Sequence, residues 1–117
     1  MELKVELYKF LYEIKMYPIQ YLDDVKRLAR NLGIDYEDLK VSTNPNKKFM
    51  ILHKGHWTHF GSRGSKDYWI HKYDKNPNAN KIRNNYRSRH SKILLKDGSR
   101  AIDKKYSPAY LSYYLLW

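Results

Sequence analysis

The sequence predicts an α+β fold: an N-terminal helical hairpin, a small three-stranded antiparallel meander, a basic helix and a buried C-terminal helix. Three observations predict it. Apolar residues recur at helical spacing before residue 33 and again after residue 78. Between these stretches, short apolar runs are separated by Asn44-Pro45-Asn46 and Lys54-Gly55, residue types that turn a chain between strands. The two Pro-initiated segments, Asn76-Pro77 and Ser107-Pro108, each place a cap before a proline, as helix starts do. With 117 residues the chain reads as one compact domain, residues 1–38 forming a helical lead-in and 39–117 a basic α+β module.

The elements follow in order. From Glu2 to Met16, Leu3, Leu7, Phe10, Leu11 and Ile14 share one helix face, and Val5, Tyr8, Tyr12 and Met16 make a second apolar stripe. The alternation of Leu3, Val5 and Leu7 also suits a short strand. Pro18 opens a second helix whose buried stripe is Tyr21 or Leu22, Val25, Leu28, Ala29 and Leu32, closed by Gly33 as a left-handed cap. Asp35 is placed to cap a further turn, Tyr36 to Leu39. Leu39 to Thr43 is the first strand. Phe49 to His53, opened by Lys47-Lys48, is the second, and His56 to Phe60 returns antiparallel to it. Gly61 and Gly64 end the third strand. Ser65 is placed to cap a short helix over Asp67 to Ile70. After Asn76-Pro77, Ala79, Ile82, Tyr86, Arg89 and Ile93 form one helical stripe, flanked by Arg83, Arg87 and His90 on one side and by Lys81, Ser88 and Lys92 on the other. Lys96 to Ser99 is a loop. Ala109 to Trp117 is apolar nearly all round, the pattern of a helix that is largely buried.

Charge is distributed unevenly. Residues 1–44 hold seven Lys/Arg and eight Asp/Glu, whereas residues 45–117 hold sixteen Lys/Arg and four Asp. The formal net charge is +11. Between Trp57 and Ile93 nine Lys/Arg interleave with Trp57, Phe60, Tyr68, Trp69, Tyr73 and Tyr86. Clustered positive charge attracts phosphate irrespective of sequence, and flat rings stack on bases or anchor interfaces. The residues expected to carry this are Arg63, Lys66, Trp69, Lys72, Lys81, Arg83, Arg87 and Lys92. The competing reading is a solvated helix face, with Tyr86 and its neighbours serving only as core.

Other chemistry is weaker. There is no Cys, so disulfides and thiolate metal sites are excluded. His53, His56 and His59 follow an HxxHxxH spacing, but in a hairpin turning at Lys54-Gly55 the third points to the opposite face from the first two, so no metal site is expected. Gly61-Ser62-Arg63-Gly64-Ser65-Lys66 lacks the spacing of a P-loop, although its N–H groups could hold one phosphate. His71 and His90, with Asp67, Asp74, Asp97 and Asp103, supply candidate groups for a nuclease but no recognised constellation. Asp67 is expected to cap a turn or to pair with Arg89. No catalytic residue and no cofactor is expected. No run reaches the ~20 apolar residues of a membrane helix, and MELKVELYKF lacks the features of a secretory signal.

One resemblance adds to this. HFGSRGSKDYWIHK, the basic stretch Tyr86-Arg87-Ser88-Arg89-His90 and the terminal LSYYLLW resemble a family of small uncharacterised proteins encoded by large nucleocytoplasmic DNA viruses. The match runs over residues 47–117, carried by Phe60-Gly61, Gly64, Asp67-Tyr68, His71-Lys72, Arg89-His90 and Leu115-Leu116-Trp117. The resemblance implies a viral origin in the cytoplasm or nucleus of a host, with the virion as a further location, and it implies no activity. The expected function is therefore sequence-independent nucleic-acid binding through phosphate contacts, with DNA ahead of RNA as partner. Two alternatives stand beside it. One is a minor capsid or inner-shell protein that holds viral structural proteins through its aromatic residues; the other is a metal-dependent nuclease.

Overall fold

The computed structural model of the chain describes residues 20–34 and 38–117. The helix expected over Glu2 to Met16, the start at Pro18 and the beginning of the turn expected from Asp35 through Tyr36 to Leu39 lie outside the described residues, while Leu39, the expected end of that turn, already belongs to a strand. What is described confirms the α+β class: helices together with one three-stranded antiparallel sheet. The chain divides into two compact units, one ending at Ser65 and the other beginning at Lys66.

In the first unit, helix α1 (Gln20–Asn31) buries Tyr21, Val25 and Ala29, a spacing of four that keeps one narrow face against the sheet. Leu22 and Leu28 are only half-buried and Leu32 is exposed, so the apolar stripe is narrower than the sequence suggests. The helix ends as the residue types dictate. Gly33 adopts φ +71°, its N–H donates to the Arg30 carbonyl, and the Ile34 N–H reaches back 2.9 Å to the Ala29 carbonyl. These paired bonds satisfy the last carbonyls while Ile34 folds into the core.

The sheet has the order β1 (Leu39–Val41), β2 (Lys47–His53), β3 (His56–Ser62), a meander. The β2–β3 register pairs His53 with His56, Ile51 with Thr58, Phe49 with Phe60 and Lys47 with Ser62. Lys54 and Gly55, at φ 50° and 75°, make the two-residue turn that matches strand twist. Because side chains alternate, Leu39, Phe49, Ile51 and Phe60 share the face under α1, and each is fully buried. Tyr21 lies 5.2 Å from Phe49, ring centre to ring centre, and Phe49 6.0 Å from Phe60. Burying each such side chain is worth roughly 1.5–3 kcal/mol. The third strand runs two residues beyond Phe60, through Gly61 at φ +81°, so Gly61 lies within the strand and does not end it.

The second unit is helical. Helix α2 (Tyr68–Tyr73) is capped by Asp67, whose Oδ1 accepts the Ile70 N–H at 3.1 Å; Ser65 does not fill that role. Helix α3 (Ala79–His90) begins two residues later than Asn76-Pro77 suggests, with Asn78 rather than Asn76 at the cap position. Asn76 still organises the entry, since its Oδ1 accepts the Asn78 N–H and its carbonyl the Ala79 N–H. A bridge between Leu94 and Arg100 closes the following loop, within which Asp97 accepts from the Ser99 N–H and hydroxyl. A single 3-10 turn, Ala101–Asp103, buries Ile102. Helix α4 (Pro108–Leu111) starts at the cap Ser107, whose Oγ accepts the Tyr110 N–H, and continues over Ser112–Leu116 as a wider, π-helical turn. Ile70, Ala79, Ile102, Leu111, Leu115 and Leu116 form the core of this unit. The C-terminal helix is buried along its leucines only: Tyr110, Tyr113, Tyr114 and Trp117 remain partly accessible.

Candidate nucleic-acid interface

Helix α3 carries four cations and no carboxylate, and its residues sort into two faces. Ile82, Arg83, Tyr86, Arg87 and His90 are half-buried and turn toward the rest of the unit. Asn80, Lys81, Asn84, Asn85, Ser88 and Arg89 are exposed. Residues four apart stack on a helix, so the pairs 80–81, 84–85 and 88–89 make one continuous polar strip. Lys92 lies just beyond its end and is exposed too.

The inward face is occupied. Arg83 Nε and Arg87 Nε both donate to the Trp117 main-chain oxygen, the latter at 3.1 Å. The Arg83 guanidinium also lies 4.4 Å from the centre of the Tyr68 ring, and Arg87 lies 5.3 Å from Tyr113. Beside them the Tyr86 ring is sandwiched: Trp117 stacks on one side at 4.2 Å and His90 on the other at 3.9 Å. These contacts shift the ionisable groups. Burial, then the like charge of Arg83, lowers the Arg87 pKa. Burial raises the Tyr86 pKa against the opposing pull of Arg89, and burial followed by the charge of Arg89 lowers that of His90. The two arginines expected to meet phosphate are thus engaged with the C-terminal segment.

The other expected residues fall as follows. Arg63, in the first unit, donates from Nε to the Lys47 carbonyl and from Nη2 to the Ser42 carbonyl, bracing the sheet end. Lys66 pairs with Asp74 at 3.0 Å. Trp69 is partly buried, donates from Nε1 to the Leu115 carbonyl at 2.8 Å and stacks on Tyr73, with Lys72 Nζ 5.6 Å from its ring centre. Its indole edge therefore serves the unit's packing. Lys72, Lys81 and Lys92 are exposed and form no ion pair with a carboxylate among the described residues. Arg89, read from sequence as part of a buried stripe, is exposed instead and belongs with them. So do Ile93, Leu94 and Leu95, at 48%, 61% and 37% exposure, where the apolar stripe leaves the helix and meets solvent.

The carboxylates of this unit are committed locally. Asp67 is 2% exposed and caps α2, Asp74 holds Lys66, Asp97 holds Ser99, and Asp103 pairs with Arg100 at 2.8 Å. Twelve Lys/Arg stand against these four Asp in residues 66–117. Among the described residues no cluster of three His, Asp or Glu could hold a metal ion. His53 and His56 face each other across the hairpin, while His59 lies on the other face with Nδ1 2.7 Å from Ser42 Oγ. No described helix is long and apolar enough to cross a membrane.

A signal for Arg89 was present in the sequence. Its helix face is shared with Asn85 and Lys92, although Ala79, Ile82, Tyr86 and Ile93 placed it at the edge of an apolar stripe. The Arg83–Arg87 contact had no such signal, because its acceptor lies some thirty residues further on.

The profile of a family of unknown function (DUF5754) matches residues 37–90. That span covers the sheet, α2 and α3 and ends on the last residue of α3. No curated protein and no solved structure matches the chain.

Proposed function

We propose that the protein binds nucleic acid, DNA ahead of RNA, by setting the exposed strip of α3 against the phosphate backbone. The observation that carries this reading is the strip itself: Lys81, Arg89 and Lys92 exposed along one side of a helix that has no carboxylate. Lys72 and Lys75 at the end of α2 and Lys96 beyond α3 are exposed as well and extend the same positive charge. Such charge releases counterions from a polyanion and makes affinity depend steeply on salt. The resemblance of residues 47–117 to small proteins of large DNA viruses makes a viral genome the natural polyanion, and a virion or the infected host cell the place of action.

The test is binding of the full chain to mixed-sequence duplex DNA at rising salt. Six phosphate contacts would give a log–log slope of about −5. Changing Lys81, Arg89 and Lys92 together to Ala should weaken binding for every sequence and flatten that slope by about 2 to 3. Absence of binding at low salt would refute the reading.

A second reading keeps its own support. Ile93, Leu94 and Leu95 are exposed together, and Tyr110, Tyr113 and Tyr114 remain partly accessible. Exposed apolar clusters mark protein contacts, so an inner-shell structural role is the reading left standing by a chain that ignores DNA.

A further inference from the structure

The exposed strip of α3 holds more than cations. At its centre are Asn84 and Asn85, with Asn80 and Ser88 on either side. Phosphate attraction does not require these residues. A helix selected only to be solvated and stable would carry Glu and Lys at spacings of four, with Ala, Gln or Arg between them. Here Asn and Ser, poorer helix formers, fill the middle of the exposed face, no acid offsets the like charges, and no side chain caps the first turn. The strip is thus locally unfavourable for the helix, as surfaces selected for recognition are.

Asn80 is partly committed, since its Oδ1 accepts the Tyr68 hydroxyl at 3.2 Å. Asn84 and Asn85 make no side-chain hydrogen bond to another described residue, so both amides present a donor and an acceptor outward. An Asn amide matches the N6 donor and N7 acceptor of adenine. The twelve residues of α3 span about 18 Å, more than the roughly 12 Å width of the DNA major groove. Lys81 and Lys92 lie towards its two ends, where a helix in the groove meets the flanking phosphates. The A-form major groove of RNA is too narrow to admit such a helix.

We propose that α3 is a major-groove reading helix for duplex DNA, with Asn84 and Asn85 as the side chains that distinguish bases. This rests on the nucleic-acid reading above and adds sequence preference to it.

The experiment selects from a library of DNA duplexes with a randomised central block, using the full chain, and then compares Asn84→Ala and Asn85→Ala. Alanine is the better helix former, so both variants should fold, and circular dichroism checks this. Enrichment of a short motif is expected. Each variant should lose roughly 5- to 150-fold of the preference for it while keeping the salt slope. Binding without enrichment, or enrichment unchanged in both variants, would overturn base reading and leave the phosphate reading intact. Preference for single strands or for RNA duplex would overturn it likewise. No binding to any duplex would overturn both.

Discussion

Asp67 is a buried carboxylate in the most basic part of the chain, and its role is mechanical. Six residues are too few for a helix to persist unaided, so α2 relies on a cap to satisfy its first N–H groups. Asp67→Ala should cost about 1–2 kcal/mol, read from the urea midpoint, and Asp67→Asn should cost distinctly less because it retains an acceptor. Equal losses would mean that the charge, rather than the cap, sustains the site. The same economy applies to Lys48. It is 5% exposed, and its Nζ donates to the Ser65 carbonyl. A buried ammonium without an acceptor would be costly, and among the described residues no buried polar side-chain atom lacks a partner. Neither role is visible in a list of charges, because each depends on a backbone group that the fold brings within reach.

At the level of elements, the stack of His90, Tyr86 and Trp117 joins the end of α3 to the C-terminal segment, and it is sensitive to pH. Burial and the neighbouring Arg89 lower the pKa of His90 below its usual 6.5. The unfolded chain therefore binds a proton more readily than the folded one. The associated stability is complete above 6.5 and is lost as pH falls through the lowered value. Melting temperature should thus decline as pH falls below 6.5, and His90→Phe, which keeps a ring on Tyr86, should flatten that decline. An identical trend in both proteins would remove His90 as its source. How far the elements could be read beforehand follows from the range of the forces involved. Turn chemistry is local, so Asn44-Pro45-Asn46, Lys54-Gly55 and Gly33 announced the meander and the end of α1 correctly. Ser107-Pro108 announced α4 for the same reason. The start of α3 slipped by two residues, because Asn76 bonds within its own loop before the helix begins. The widening of α4 into a π-helical turn, and the capture of Arg83 and Arg87 by Trp117, depend on packing between distant segments and left no periodic trace.

Across the whole molecule, net charge and the placement of charge make different predictions. A protein at +11 attracts polyanions wherever its cations lie. Were that the whole cause, any three cations would be equivalent. The first unit offers the comparison: Lys26, Arg30 and Lys54 are cations on α1 and at the hairpin turn, and none of them belongs to α3. Changing these three to Ala lowers the formal charge from +11 to +8, as does changing Lys81, Arg89 and Lys92. Counterion release counts phosphates neutralised in the complex rather than charges carried by the protein. The change in the first unit should therefore slow association slightly at low salt and leave the log–log slope within about half a unit of its starting value. Equal flattening by both triple changes, measured side by side on one duplex, would assign the attraction to total charge and deprive α3 of any privileged part in it.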